Sequence, residues 1–358
     1  MGKRSKFKVL FVVTIGIILF LIPLTIQASG ENSNKIVNKY VALGDEVSME
    51  SNDNYDISYV SLIKDFLDAL NSDLKYNNLS KKGITSSELI AIVDENKDEI
   101  KNSNLITLSI GSNNVCNIIL EGLYNNLNIN KEKLENCDEE EFESIVSEYL
   151  NSNEMTVAIQ DEVNKFEEDF PSIIKSIEKL APQAQIYVNT VYNPINKKGN
   201  VYNFFDTQIN LINNIIIKNN SKYDYKIIDC YNILSNDERL NLHVEDGKFD
   251  LYPNKVGHAM MATQVISDYE DYVELEVDKL TSNSENIKGK TVPNSNIIVV
   301  SDSGTIGTTQ AKSNGEFEMK ISPMVSGTNV EILVYDKKVF SILYKFQKLV
   351  VKRDLFTS

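Results

Sequence analysis

The chain has 358 residues and a formal net charge of −15. This length is enough for two domains, and the composition is that of folded globular material and not of a disordered chain. The negative charge argues against nucleic acid as a partner, because phosphate binding needs a basic patch, and it argues equally against a polybasic contact with anionic lipid.

The first 28 residues have the composition of an export signal. A basic stretch precedes an almost wholly apolar run over residues 9–26, and Ala28 then offers a cleavage site before a polar segment. We expect a signal peptide at residues 1–28. Because the run is close to the length of a membrane-spanning helix, retention as an N-terminal anchor stays open. Either form predicts an extracytoplasmic protein, secreted or membrane-anchored at the cell surface.

Between residues 36 and 280, apolar strand-like runs alternate with segments of helical periodicity. Strands are predicted at residues 39–43, 105–110, 186–191 and 225–229, and helices at 57–70, 157–180, 204–217 and 257–280. This alternation is typical of a parallel sheet covered by helices on both faces. In such sheets the ligand site lies at the carboxyl ends of the strands.

The last part of the chain changes character. Residues 281–285 are predicted to be a polar linker, and residues 286–340 contain short β-branched runs separated by glycines, which is typical of a small β-sandwich. Residues 341–358 form a tail that the sequence leaves unassigned. The three cysteines, Cys116, Cys137 and Cys230, have no paired spacing and are interpreted as ordinary thiols, with a Cys116–Cys137 bridge as the alternative. No metal or other cofactor is predicted.

Four separated blocks in the first part stand at the ends of strands or the starts of helices. They are YVALGDEVSME at residues 40–50, NLSKKGITSSEL at 78–89, LITLSIGSNNV at 105–115 and DLYPNKVGHAM at 250–260. In order and spacing the four blocks resemble those of the SGNH/GDSL hydrolases, a family of esterases. The resemblance covers residues 39–280 and implies a three-layer α/β/α, flavodoxin-like SGNH-hydrolase fold with a parallel sheet, here followed by an all-β domain.

The resemblance also implies a role for each block. In the family, the first block carries a serine nucleophile, the second and third carry hydrogen-bond donors to the oxyanion, and the fourth carries the aspartate and histidine that activate the serine. Gly83 and Asn113 match the two oxyanion-hole positions. The nucleophile position, however, holds Glu46, and the histidine position holds Tyr252.

Other residues are weaker candidates to complete a triad. The usual aspartate position holds Phe249, although Asp250 is adjacent and substitutes with an offset of one residue. Ser48 lies two positions beyond the nucleophile site and is expected to point elsewhere. His258 is expected to have a structural role in the last helix. His243, in a loop upstream, is the other histidine that a rearranged site would recruit.

A carboxylate at the nucleophile position resembles the oxyanion itself. Glu46 is therefore predicted to accept hydrogen bonds from the Gly83 N–H and the Asn113 amide, and so to fill the hole permanently. Charge-assisted bonds of this kind are about twice as strong as neutral ones. The alternative is a Glu46 side chain that faces solvent in an inactive site.

A second resemblance lies in residues 286–337. Pro293-Asn294, a strand, two glycines at Gly304 and Gly307, and the run from Ser313 to Phe317 resemble the bacterial Ig-like repeats of surface proteins. This resemblance implies a spacer or adhesion module.

Together these features favour an exported pseudo-hydrolase that acts as a cell-surface binding protein. Its ligand would be an acylated glycan, a peptide or a cell-wall component in the former substrate cleft. Nucleic acid is not expected as a partner, and membrane contact is expected only through the N-terminal segment. Two alternatives stay open: an active ester hydrolase or carbohydrate acylesterase with a rearranged triad, and a surface-structural or adhesion protein whose Ig-like module makes the contacts.

Overall fold

The computed structural model describes residues 37–50, 57–126, 139–150, 153–195, 198–234, 252–301, 303–337 and 343–354. The leader at residues 1–28 and the candidate residues His243 and Asp250 lie outside these ranges. Residues 36–358 form one compact unit. Within the described ranges, no helix combines the length and the apolar character that crossing a membrane requires.

A parallel sheet forms the centre of the first part of the chain. Its five strands are β1 (Lys39–Gly44), β2 (Lys75–Asn78), β3 (Leu105–Ser109), β4 (Gln185–Asn189) and β5 (Lys226–Ile228). They lie in the order β2-β1-β3-β4-β5, and every neighbouring pair is parallel. This is the flavodoxin-like order, in which the chain reverses direction across the sheet between β1 and β3.

Helices cover both faces of this sheet. They are α1 (Tyr59–Leu70), α2 (Ser86–Glu95), α3 (Lys97–Ile100), α4 (Ser112–Asn126), α5 (Glu139–Tyr149), α6 (Asn153–Leu180), α7 (Asn200–Asn220), α8 (Cys230–Leu234) and α9 (Lys255–Ile266), with 3₁₀ turns at Glu46–Ser48 and Ser267–Tyr272. One face buries apolar side chains of α2, α4, α6 and α7, and the other buries those of α1 and α9. The predicted three-layer α/β/α class is confirmed.

The second part of the chain is all β. It contains β6 (Glu276–Val277), β7 (Asn286–Lys290), β8 (Asn296–Ser301), β9 (Gly304–Gln310), β10 (Glu316–Lys320), β11 (Asn329–Tyr335) and β12 (Leu343–Val350). These strands form two antiparallel sheets, in the orders β10-β7-β6 and β12-β11-β8-β9. The apolar core of the α1 and α9 face continues into this part, where the rings of Phe66 and Tyr344 lie 5.0 Å apart.

The structure differs from the sequence predictions where pairing depends on distant residues. The closing helix predicted at residues 257–280 ends at Ile266, because the chain beyond it supplies β6 to a sheet with β7. The tail that the sequence left unassigned contains β12, which pairs with β11 along its length. Residues 281–285 turn between β6 and β7, and the Ser282 N–H donates to the Lys352 carbonyl at 2.9 Å. The domain boundaries and the Ig-like identity of this part stay predictions.

Candidate active site

The carboxyl ends of β1 and β3 meet at the switch point of the sheet, where open α/β sheets bind their ligands. Gly44 ends β1 and pairs with Ser109 there, and Gly111 follows the end of β3 by two residues. Both glycines have positive φ, +125° at Gly44 and +115° at Gly111. A Cβ atom on Gly44 would lie 1.9 Å from the Ser109 carbonyl oxygen. The glycine is therefore required for the close approach that brings the first and third blocks together.

Asp45 is buried directly behind this turn, with 1% of its surface exposed. Its carboxylate accepts hydrogen bonds from the hydroxyls of Ser109 at 2.8 Å and Ser112 at 2.7 Å, and from the Val47 N–H at 3.2 Å. Burial, and then the adjacent charge of Glu46, raise the pKa of Asp45 to about 7 in spite of these bonds. Through these hydrogen bonds Asp45 connects the turn that follows β1 to the turn that follows β3.

The Glu46 side chain reaches Gly83 and Asn113, the two residues that the resemblance matches to oxyanion-hole positions. Its Oε2 atom accepts a hydrogen bond from the Gly83 N–H at 2.9 Å and another from Asn113 Nδ2 at 2.9 Å. These are the two contacts predicted from the sequence, and both have the geometry of a normal charge-assisted bond. Glu46 therefore satisfies both donors that the resemblance assigns to an oxyanion hole.

The segment that carries the Gly83 donor is held by a second set of polar contacts. Gly83 has a φ of +76°, and its carbonyl accepts a hydrogen bond from Asn117 Nδ2 at 2.9 Å. The fully buried Asn114 side chain accepts from the Ser86 N–H at 3.1 Å, and Nδ2 of the same amide donates to the Ser86 hydroxyl at 3.1 Å. Asp169 of α6 accepts from that hydroxyl at 2.9 Å. The start of α2 is thereby fixed to α4 and α6.

Sequence reasoning missed these supporting residues. Asn114 and Asn117 follow Asn113 within the third block or just beyond it, so their spacing on α4 was visible but not used. Asp169 gives no comparable signal, because it lies more than 80 residues along the chain from the serine that it binds. Its role depends on α6 packing beside α2, which only the tertiary structure shows.

The other half of a triad is not assembled in the described residues. Tyr252 is half-buried and lies close enough to the buried Tyr192 for its charge to contribute to the raised pKa of that phenol, whose largest cause is burial. His258 Nδ1 accepts a hydrogen bond from the Tyr59 N–H at 3.2 Å, and the two rings stack with centroids 6.4 Å apart. The imidazole is thus engaged with the start of α1.

Two possible nucleophiles near Glu46 are not activated. The Ser48 hydroxyl is buried and pairs with the Tyr59 hydroxyl at 2.7 Å. Cys116 lies on α4 one turn beyond Asn113, and burial, then the charges of Glu46 and Asp45, raise the pKa of its thiol to about 12. A thiol held neutral in this way is a poor nucleophile. Cys116 and Cys230 are both free cysteines.

In the part of the chain that the structure describes, no lysine, arginine or histidine lies within ion-pair distance of Asp45 or Glu46. The same ranges contain no cluster of three or more histidine, cysteine, aspartate or glutamate side chains that would hold a metal ion. The bonds to Glu46 and Asp45 come from neutral donors.

No family model and no curated protein matches the chain. Solved structures similar to it include a lipase from a goat rumen metagenome, at 18% identity and a TM-score of 0.46 over 64% of this chain and 96% of that one. An extracellular lipase from Streptomyces rimosus has 16% identity and a TM-score of 0.45, over 64% and 99% of the two chains. An acetyl xylan esterase from Geobacillus stearothermophilus has 16% identity and a TM-score of 0.40, over 64% and 94%. At these identities the likeness is one of fold.

Proposed function

We propose that this chain is an exported protein of SGNH-hydrolase fold that does not hydrolyse esters and acts as a binding protein at the cell surface. The observation that supports this most directly is the Glu46 carboxylate, which takes the nucleophile position and both oxyanion donors, at 2.9 Å each. The export signal in the sequence supports the location. The ligand would be a glycan, a peptide or another cell-wall component held in the former substrate cleft.

The chemistry of acyl transfer explains why the site would be inactive. A substrate carbonyl needs both donors as its oxygen gains negative charge, and here a carboxylate already holds them. Removing one such donor costs an esterase-type site about 10²–10³ in turnover, and here two are occupied. Attack by Glu46 itself would form an anhydride, which needs a base to activate water. His258 is the one histidine among the described residues, and its Nδ1 atom accepts a hydrogen bond from the Tyr59 N–H at the start of α1.

The test is hydrolysis of short-chain aryl esters and acetylated sugars by the full chain and by two variants. Glu46→Ser empties the hole and restores a hydroxyl, and Glu46→Ser combined with Tyr252→His restores the base as well. We expect no turnover above background from the natural protein and weak turnover from the double variant. The matched control is Glu95→Gln combined with Tyr223→His, which changes similar residue types on other parts of the chain and leaves the site intact.

The outcomes separate the three functions considered for this chain. Turnover by the natural protein that disappears on His243→Ala or His258→Ala would show an active esterase with a rearranged triad and overturn the proposal. No turnover by any variant, with no ligand for the cleft, would favour a surface-structural protein whose β part makes the contacts. Turnover in the double variant alone would show that the donors are intact and that Glu46 blocks them.

A further inference from the structure

The two oxygens of Glu46 are not equivalent. Oε2 takes both donors, while no donor in the described part of the chain reaches Oε1. Glu46 is only half-buried, although the neighbouring Asp45 and Asn113 are 1% and 4% exposed. One carboxylate oxygen is thus fixed in the hole, and the other is left with unused capacity as a hydrogen-bond acceptor.

This arrangement has the chemistry of a product complex. Hydrolysis of an ester by water breaks the acyl carbon–oxygen bond and gives a carboxylic acid and an alcohol. In an esterase, an oxygen of the departing acid lies in the oxyanion hole, and the alcohol hydroxyl lies beside the carboxyl group. The Glu46 carboxylate occupies the place of that acid, attached covalently to the chain, so that only the place of the alcohol remains for a ligand.

We propose that the cleft binds a deacylated glycan, with a free sugar hydroxyl donating a hydrogen bond to Glu46 Oε1. This inference rests on the proposed function and narrows its ligand. An acylated sugar has no hydroxyl at that position, and its ester carbonyl would place an acceptor against a carboxylate that already holds the donors. The protein therefore discriminates against the acyl group that an SGNH esterase would recognise.

The surroundings of Glu46 agree with a neutral, hydroxyl-bearing ligand. Tyr192 and Cys116 both lie near Glu46, and burial above all raises the pKa of each, so that their phenol and thiol groups are neutral. Tyr252 lies near Tyr192. Tyr192 is buried, so of these two rings only the half-buried Tyr252 can meet a ligand. An aromatic ring with a polar tip provides apolar area and a hydrogen bond together, as the faces and hydroxyls of a sugar require. A carboxylate acceptor with such a ring nearby favours a polyol over an ester.

The experiment measures binding of the full chain to matched probes by isothermal titration calorimetry. The probes are unmodified xylohexaose and mannohexaose, and the same two oligosaccharides after chemical acetylation. We expect at least one unmodified oligosaccharide to bind, and its acetylated form to bind about tenfold more weakly or not at all. Stronger or equal binding of the acetylated forms, or binding of neither form of either sugar, would overturn the inference.

The variant Glu46→Gln tests the acceptor directly. Glutamine keeps the shape and has a carbonyl oxygen for the Gly83 and Asn113 donors, but it then presents an NH₂ group where Oε1 stood. We expect it to weaken binding of the unmodified sugar about tenfold or more, since a hydrogen bond to a charged group is lost. The control Glu95→Gln removes one exposed charge on α2 and should leave binding unchanged.

The two proposals fail in different ways. Ester turnover by the natural protein would overturn the proposed function, whatever the binding result. Absence of turnover together with preference for acetylated sugar would leave the proposed function standing and remove this inference alone. In Glu46→Ser, where the donors are released, the preference should shift towards the acetylated probe. An unchanged preference in that variant would show that Glu46 does not set it.

Discussion

The two sides of the site have diverged to different extents from the family that the sequence resembles. On the side of β1 and β3, the oxyanion donors Gly83 and Asn113 are present, correctly aimed and supported by a buried polar network. On the side of β5 and α9, the histidine position holds Tyr252, and His258 contacts the start of α1. The donor side therefore has the contacts that the resemblance implies, whereas the histidine position holds a tyrosine.

The difference follows from what each group needs. Buried hydrogen-bond donors without a partner cost about 1–3 kcal/mol each, so the Gly83 N–H and the Asn113 amide require an acceptor, and Glu46 supplies it with a single residue. The position of Tyr252 carries no such requirement, because a tyrosine there can remain partly exposed, as Tyr252 is. The donors therefore keep a partner, whereas no such cost constrains the position of Tyr252.

The largest expected effect concerns the turn on which the donor side is built. Gly44→Ala should lower the free energy of unfolding by about 4 kcal/mol, since a Cβ at positive φ would meet the Ser109 carbonyl. The control is Gly304→Ala, where φ is +114° and no atom lies within 4 Å of the added Cβ, so that only backbone strain remains, about 1–2 kcal/mol. Urea unfolding of both variants measures the difference. Equal losses would show that the approach of β1 to β3 tolerates a side chain.

The next effect is a pH dependence confined to the donor side. The pKa of Asp45 is raised in the folded state from 3.8 to about 7. Between pH 3.8 and about pH 7, the native state therefore holds a proton that the unfolded state has released. The stability that this proton brings is complete below the unfolded pKa and is lost as pH rises through the folded pKa. From pH 5 to pH 8, the free energy of unfolding of the natural protein should fall by about 3 kcal/mol relative to that of Asp45→Asn.

Unfolding in urea at several pH values measures this loss. The control is Asp161→Asn, which changes an exposed carboxylate on α6 and should leave the pH profile of the natural protein unaltered. A constant difference between the natural protein and Asp45→Asn across this range would show that Asp45 is already ionised at pH 5.

A smaller effect tests whether the donors are held by the network behind them. Asn114→Ala leaves the Ser86 N–H without its acceptor and should cost about 2 kcal/mol. In the Glu46→Ser, Tyr252→His background it should also reduce ester turnover, because the segment carrying Gly83 keeps its contact with Asn117 of α4 but loses the one with Asn114. Asn164→Ala, an exposed position on α6, should change stability by less than about 0.5 kcal/mol. Unchanged turnover would show that Gly83 is positioned without Asn114.

The smallest effect is expected on the side of β5 and α9. His258→Phe keeps an aromatic ring against Tyr59 but removes the acceptor for the Tyr59 N–H, so it should cost about 1 kcal/mol. Turnover of the double variant should be unaffected. A fall in turnover well beyond the change in stability would show that His258 takes part in the chemistry, and that the two sides have not diverged as described.

The sequence by itself determined the fold class and the donor side of the site. Apolar strands of β1, β3 and β4 alternate with amphipathic helices, and that periodicity depends on local residues alone. The block containing Gly44 and Glu46 and the block containing Asn113 each end a strand, and parallel strands end at one edge of the sheet. Contact between Glu46 and its two donors was predicted from the resemblance of the four blocks to the SGNH/GDSL hydrolases, and the structure contains both contacts.

The tertiary structure decided what depends on partners far along the chain. The polar strand β2 has no apolar pattern and exists because β1 supplies its hydrogen bonds. The chain after Ile266 becomes β6 because β7 is beside it, and the tail becomes β12 because β11 is. Asp169 supports the site through packing of α6 on α2, and the engagement of His258 depends on α9 packing on α1. Each of these needs the contacts of the folded chain, which local composition does not encode.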